Sequence, residues 1–195
     1  MISLQHVSLD YGDKRVLDRF SLTLPEGGIT CLHGPSGSGK TTVLRLLAGL
    51  VVPQSGTIVG KPKKPALLFQ EDRLLPSFTA LENVAAVLPK AREDEAEVWL
   101  SKVGLLEDAH LRPRELSGGM QRRVALARAL AYGGDFLLFD EPFTGLDMSL
   151  TRQMAALVLE TGTPALVVTH SREEIALLGG KTLEVNGPPL VILSG

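Results

Sequence analysis

The chain has 195 residues, 44% of them hydrophobic and 22% charged, which is ordinary globular usage and fits one substantial core with room for a small inserted subdomain. A formal net charge of -2 gives no broad basic footprint for nucleic acid, and a single cysteine, Cys31, excludes an internal disulfide. No apolar run approaches the ~18 residues of a membrane span and the N-terminus lacks a secretory layout, so a soluble intracellular chain is expected, meeting a membrane only through a partner.

In chain order, residues 2–9 and 20–24 alternate apolar and polar positions as half-buried strands do, with a Tyr11-Gly12-Asp13 turn between them, which predicts an antiparallel element. Residues 29–32 read as a buried strand, in which Cys31 is a small packing residue, and residues 42–48 as a helix. Pro53, Gly56, Gly60, Pro62 and Pro65 break the next stretch, where Lys61, Lys63 and Lys64 form a solvated turn. An apolar strand over residues 66–69 follows, with Gln70 at its end. Residues 79–116 turn helical, with Leu81, Val84, Ala85 and Leu88 in one segment and Ala96, Trp99, Leu100 and Val103 in the next; Trp99 is expected in the core of this insert. A helix over 118–131 leads to a strand over 136–139, another helix precedes a strand over 165–168, and strand-like runs surround Leu183 and Val191. Strands alternating with helices predict an α/β fold, its mainly parallel sheet covered by helices on both faces.

The strand over 29–32 and the following helix flank Gly34-Pro35-Ser36-Gly37-Ser38-Gly39-Lys40-Thr41, which matches the phosphate-loop pattern G-x-x-x-x-G-K-[ST]. Small residues let backbone N–H groups close around phosphate oxygens, and the helix N-terminus, entered at Thr42, adds partial positive charge. Lys40 brings a full charge near the terminal phosphates and the Thr41 hydroxyl can ligate Mg²⁺. A glycine-rich turn opening an ordinary helix would not require all four fixed positions and both flanks to agree. The strand over 136–139 ends in Asp140 and Glu141; ligands gather at the carboxyl ends of strands in α/β sheets, so these acids should reach the same edge as the loop. Asp140 suits a Mg²⁺ role through water, Glu141 is placed to polarise or deprotonate an attacking water, and Pro142 biases Glu141 toward an extended conformation. The pattern is that of a phosphate-loop NTPase with ATP and Mg²⁺ as cofactors.

Ser117-Gly118-Gly119 open a helix with a capping serine and two glycines, suited either to an anion or simply to a cap. Leu116-Ser117-Gly118-Gly119-Met120-Gln121, lying between a phosphate loop and a strand ending in Asp-Glu, resembles the signature of ATP-binding-cassette (ABC) ATPases. The remaining pieces of that family follow in order: Tyr11 at the adenine-stacking position, Gln70 at the Q-loop, Gly145-Leu146-Asp147 at the D-loop and His170 at the switch histidine. The resemblance implies a head-to-tail dimer enclosing two ATP molecules, with each phosphate loop facing Ser117, Gly118 and Gly119 of the other protomer and Asp147 crossing the interface. By the same resemblance Gln70 couples Mg²⁺ and water to the helical insert, and His170 contacts the γ-phosphate. One domain over 1–195 is expected, its core built from about 1–70 and 117–195 and its helical subdomain from about 71–116.

Residues 69–76 and 79–84, with Asp140-Glu141-Pro142-Phe143, are similar to importer ATP-binding subunits of the nitrate, sulfonate and taurine group. That similarity implies a membrane permease partner, an indirect solute-binding protein and a peripheral place on the cytoplasmic face of the membrane. Leu74 and Leu75, between Arg73 and Pro76, lie where the family places its permease-facing surface. Residues 171–195 leave no space for the C-terminal regulatory domain of some importer ATPases. The rival reading is a cytosolic ABC ATPase without a transporter. DNA-maintenance members carry a long coiled coil and translation members two cassettes, neither present here, which leaves an iron–sulfur assembly ATPase as the alternative. A binding module without turnover would need Glu141 or His170 altered, and both are present.

Overall fold

A computed structural model describes residues 1–195, apart from the side chain of Ala91. The first half of the chain runs β1 (Ile2–Tyr11), β2 (Lys14–Leu24), β3 (Ile29–His33), α1 (Lys40–Leu47), β4 (Ser55–Val59) and β5 (Pro65–Leu68). Two short helices follow, α2 (Ala80–Ala85) and α3 (Glu95–Lys102), and then α4 (Gly118–Ala131), β6 (Phe136–Asp140), α5 (Met148–Glu160), β7 (Ala165–Thr169), α6 (Arg172–Leu178), β8 (Lys181–Asn186) and β9 (Val191–Ser194). The strands form a three-stranded antiparallel sheet in the order β2-β1-β4 and a six-stranded sheet in the order β5-β6-β7-β3-β8-β9, parallel except for β9.

The central strands are buried on both faces, which is why their sequences read as unbroken apolar runs. Alternate residues serve two different cores. Leu137 and Phe139 of β6 and Cys31 of β3 join the side that carries α4 and α5, whereas Phe136, Leu138 and Leu32 join the side that carries α1 and the antiparallel sheet. Cys31 is fully buried, as its place in the strand predicts, and burial, aided by the charge of Glu174, pushes its thiol up to about 11.

Three expectations are corrected. The broken stretch after Leu50 contains β4, which pairs with β1 because Gly56, at φ 86, brings its backbone where a Cβ would stand 2.4 Å from the His6 carbonyl oxygen. The helical segment is less helical than its periodicity suggests, since Pro89, Gly104 and Pro113 interrupt it and leave helices of six and eight residues. Its first helix starts on a capping box, Thr79 Oγ1 accepting from Glu82 N–H at 3.2 Å and Glu82 Oε2 from Thr79 N–H at 2.7 Å. Trp99 is only half-buried at the edge of the core, with Lys102 Nζ 4.7 Å from its ring centre. Helix α6, capped by Ser171, had no counterpart among the predicted elements.

Candidate functional site

Four neighbouring parallel strands bring their carboxyl ends to one rim: β5 leads to Gln70, β6 to Asp140 and Glu141, β7 to His170, and β3 to the loop at Gly34. The pairings Asp140 with Val168 and His33 with Thr169 put three of these ends level. Neighbouring strands lie about 4.8 Å apart, so the ladder alone gathers segments remote in sequence. A cleft of about 250 Å³ opens there, lined by Tyr11, Lys14, Val16, Ser36, Gly37, Gly39, Lys40, Thr41, Thr42, Gln70, Asp140, Glu141 and Val168.

The phosphate loop is shaped for backbone closeness. Gly34 packs against β8, where a Cβ would stand 2.1 Å from Val185 O, and Gly39 turns at φ 111 to start α1. Pro35 and Ser36 are exposed and Ser38 is buried. Lys40 Nζ donates to the carbonyls of Gly34 and Pro35, both at 2.7 Å, and desolvation lowers its pKa against the opposing charges of Glu141 and Asp140. Thr41 Oγ1 donates to Asp140 Oδ2 at 2.6 Å, joining the loop to the end of β6. Asp140 is 2% exposed, and desolvation raises its pKa despite that hydrogen bond. Thr41 and Asp140 are hard oxygen donors side by side, with Gln70 on the same cleft, a donor set that fits Mg²⁺.

Glu141 departs from the extended conformation that Pro142 predicts: its φ is 51, in the left-handed region. Such a backbone costs about 1–3 kcal/mol in a non-glycine residue and persists where its surroundings over-determine it. Here the Glu141 N–H donates to Val168 O at 2.8 Å, and its carbonyl accepts from Arg122 Nη2 at 2.6 Å. The turn leaves Glu141 Oε2 buried, 2.8 Å from His170 Nδ1. The carboxylate holds the exposed His170 imidazole above its ordinary range.

Ser117, Gly118, Gly119 and Asp147 do not line this cleft. Ser117 caps α4, accepting from Met120 N–H at 3.3 Å, and Asp147 caps α5, accepting from Leu150 N–H at 2.9 Å. The two caps adjoin, since a Cβ on Gly119 would stand 3.3 Å from Gly145 O. Leu74 and Leu75 also separate: Leu74 packs on the core around α4, and Leu75 is 41% exposed near Phe78. Sequence reasoning overlooked Arg122, 3% exposed and bonded to both Glu141 and Asp72. Its signal was an arginine in the second turn of α4 with apolar Ala125 and Leu126 three and four positions on, on the same side of the helix.

A phosphate loop, a strand ending in two acids and a capped glycine pair on a separate surface define a nucleotide-binding cassette of the phosphate-loop class. The sequence model of the ABC transporter family matches residues 17–144, and the chain belongs to that family. It is 41% identical over 191 residues to the aliphatic sulfonates import ATP-binding protein SsuB 1 of Burkholderia cenocepacia (strain HI2424), and 40% identical over 191 residues to that of Paraburkholderia xenovorans (strain LB400). Each alignment takes in 93% of this chain, which spans only 60% and 56% of the length of the two relatives. Among solved structures, the dimeric bacterial ABC transporter cassette MJ0796 superposes with a TM-score of 0.88 at 29% identity, covering 100% of both chains. The dimeric post-hydrolysis state of the same cassette, bound to ADP and Pi, gives 0.83 at 28% identity with the same coverage.

Proposed function

We propose that this chain binds Mg-ATP in the cleft at the sheet rim, hydrolyses it, and so energises an ABC importer. The observation that carries the reading is the convergence of Lys40, Thr41, Asp140 and Glu141, from two distant segments, on one cleft, with 2.6 Å between Thr41 Oγ1 and Asp140 Oδ2. In this reading Tyr11 stacks on the base, and the loop from Gly34 to Thr41, with Thr42, wraps the phosphates. Lys40 exchanges the Gly34 and Pro35 carbonyls for phosphate oxygens. Thr41, Asp140 and Gln70 would hold Mg²⁺, whose charge neutralises that developing on the phosphoryl oxygens. Glu141 accepts a proton from the attacking water, and His170 lies beside it for the γ-phosphate. Catalysis is then positional and electrostatic.

Ser117, Gly118, Gly119 and Asp147 act in trans in this reading, completing the cleft of a second copy in a dimer with two ATP molecules. Their place outside the cleft of their own chain supports it, as does the dimeric state named for the similar cassette. The names of the relatives support an importer over a soluble assembly ATPase and point to aliphatic sulfonates as the cargo class. A permease would take the surface around exposed Leu75, a solute-binding protein would deliver cargo, and the chain would sit peripherally on the cytoplasmic face of the membrane. Among the described residues no helix is long and apolar enough to cross a membrane.

Wild type should turn over Mg-ATP, whereas Glu141→Gln should bind it, form an ATP-dependent dimer and lose at least about a hundredfold in multiple turnover. Parental hydrolysis by the variant would remove Glu141 from the role of base. On co-expression with an importer permease, pull-down should succeed for wild type and fail for Leu75→Glu while ATP binding persists; a wild type that captures only a soluble assembly complex would overturn the importer reading.

A further inference from the structure

The guanidinium of Arg122, in the second turn of α4, spends all five of its N–H groups on segments that otherwise meet only at the sheet rim. Nε donates to Pro142 O at 3.0 Å, and Nη2 donates to Asp140 O at 2.8 Å and Glu141 O at 2.6 Å. Nη1 donates to Phe69 O at 2.7 Å and Asp72 Oδ1 at 2.7 Å, with Gln70 O at 3.5 Å beyond good bonding distance. Three of these acceptors are consecutive carbonyls flanking the one residue of the turn with positive φ, Glu141. The Asp72 carbonyl is in turn held by Arg128 Nη2 at 2.9 Å, so α4 grips the loop after β5 at two points.

We propose that Arg122 is a positioning residue: it holds the backbone of residues 140–142 in the conformation that aims the Glu141 carboxylate, and it fixes that aim relative to the loop of residues 69–72. The inference rests on the proposed ATP hydrolysis. A planar fork with five donors can span carbonyls on both sides of Glu141 and a carboxylate on the next loop at once. An ammonium group, with three donors diverging from one point, cannot. Arg122 touches none of the residues that wrap the phosphates and meets Asp140 only at its carbonyl, while the Asp140 carboxylate stays tied to Thr41, so losing the fork should misdirect the base and spare nucleotide binding.

The test compares wild type, Arg122→Lys and Asp72→Ala in steady-state Mg-ATP hydrolysis, ATP calorimetry and thermal melting. Arg122→Lys should lower kcat about ten- to a hundredfold, the cost of a displaced catalytic group, with KM and ATP affinity within about twofold of wild type. Asp72→Ala, which removes one acceptor of the fork, should lower kcat less and also spare KM, and the double variant should be no slower than Arg122→Lys. A parental kcat in Arg122→Lys, or KM and affinity weakening in step with kcat, overturns the proposal, as does a lowered melting temperature with kcat unchanged. If Arg122→Lys fails to fold, Asp72→Ala decides, and a parental kcat there overturns it. Absence of turnover in the wild type would instead remove the functional reading, and this inference with it.

Discussion

At the sheet rim, parallel strands end side by side and the backbone ladder brings Asp140, Glu141, His170 and the phosphate loop together. Residues 71–116 have no such ladder: two short helices pack on the core through Ala80, Val84, Ala96 and Leu100 and are pinned further by a few polar side chains. Asn83, fully buried, donates to the carbonyls of Leu75, Phe78 and Thr79 at 3.2, 3.2 and 2.9 Å and accepts from Leu75 N–H at 2.8 Å. Arg123 reaches Val103 O at 2.7 Å, and Arg128 reaches Asn83 Oδ1 at 3.3 Å. Geometry set by a ladder tolerates loss of any one side chain, because the main chain carries it. Geometry set by side chains fails one residue at a time. The rim is therefore suited to chemistry that needs fixed distances, and the insert to a surface adjusted by single substitutions.

The comparison breaks most visibly at Asn83. Asn83→Ala strands several buried main-chain groups and should cost about 2–3 kcal/mol of stability, read by denaturant unfolding, with ATP affinity within about twofold of wild type. A large loss of affinity would mean the two regions are not separable. The converse change is Lys40→Ala at the rim, which removes a charge facing the phosphates and should weaken ATP binding roughly ten- to a hundredfold by calorimetry, with little change in melting temperature. Unchanged affinity would remove Lys40 from the site. Tyr11→Ala, at the edge of the rim, should cost only about 0.5–1.5 kcal/mol of binding, the worth of one aromatic stack, with weak preference between purines. Strong discrimination of ATP over GTP in the wild type would place base recognition elsewhere.

The smallest effect concerns a buried acid behind the rim. Thr169 Oγ1 donates to Glu174 Oε2 at 2.6 Å, yet burial raises the Glu174 pKa above its ordinary 4.5. The folded state thus binds this proton more tightly than the unfolded chain, so the stability it contributes is full below about pH 4.5 and declines as pH rises through the folded value. Glu174→Gln keeps an acceptor for Thr169 and removes the desolvated charge. Its unfolding free energy should match or exceed that of wild type at pH 7, and the decline between acid and neutral pH should flatten. A steeper decline in the variant would show that the Glu174 charge stabilises the fold.

How far the sequence could be read follows the same division. The phosphate loop, the Asp140-Glu141 pair and the helix opening at Gly118 are local: each depends on residue types at fixed spacing around one strand end or helix start, so a short stretch of sequence is enough to set them. Elements whose identity depends on a distant neighbour were less legible. Strand β4 exists because Gly56 lets the chain approach the backbone of β1, and the helices of the insert stop where prolines and a glycine end a periodicity that itself continues. The conformation of Glu141 reverses its local preference because Arg122, held in α4, binds the carbonyls on either side of it. Likewise, which of Leu74 and Leu75 faces solvent is decided by packing against α4 and by the grip of Asn83 on the Leu75 main chain. Sequence by itself therefore determined which residues are proposed for the chemistry and the strand ends on which they stand. Only tertiary structure decided how the carboxylate is aimed and which apolar side chain is left exposed, because both outcomes depend on buried polar bonds formed between segments far apart in the chain.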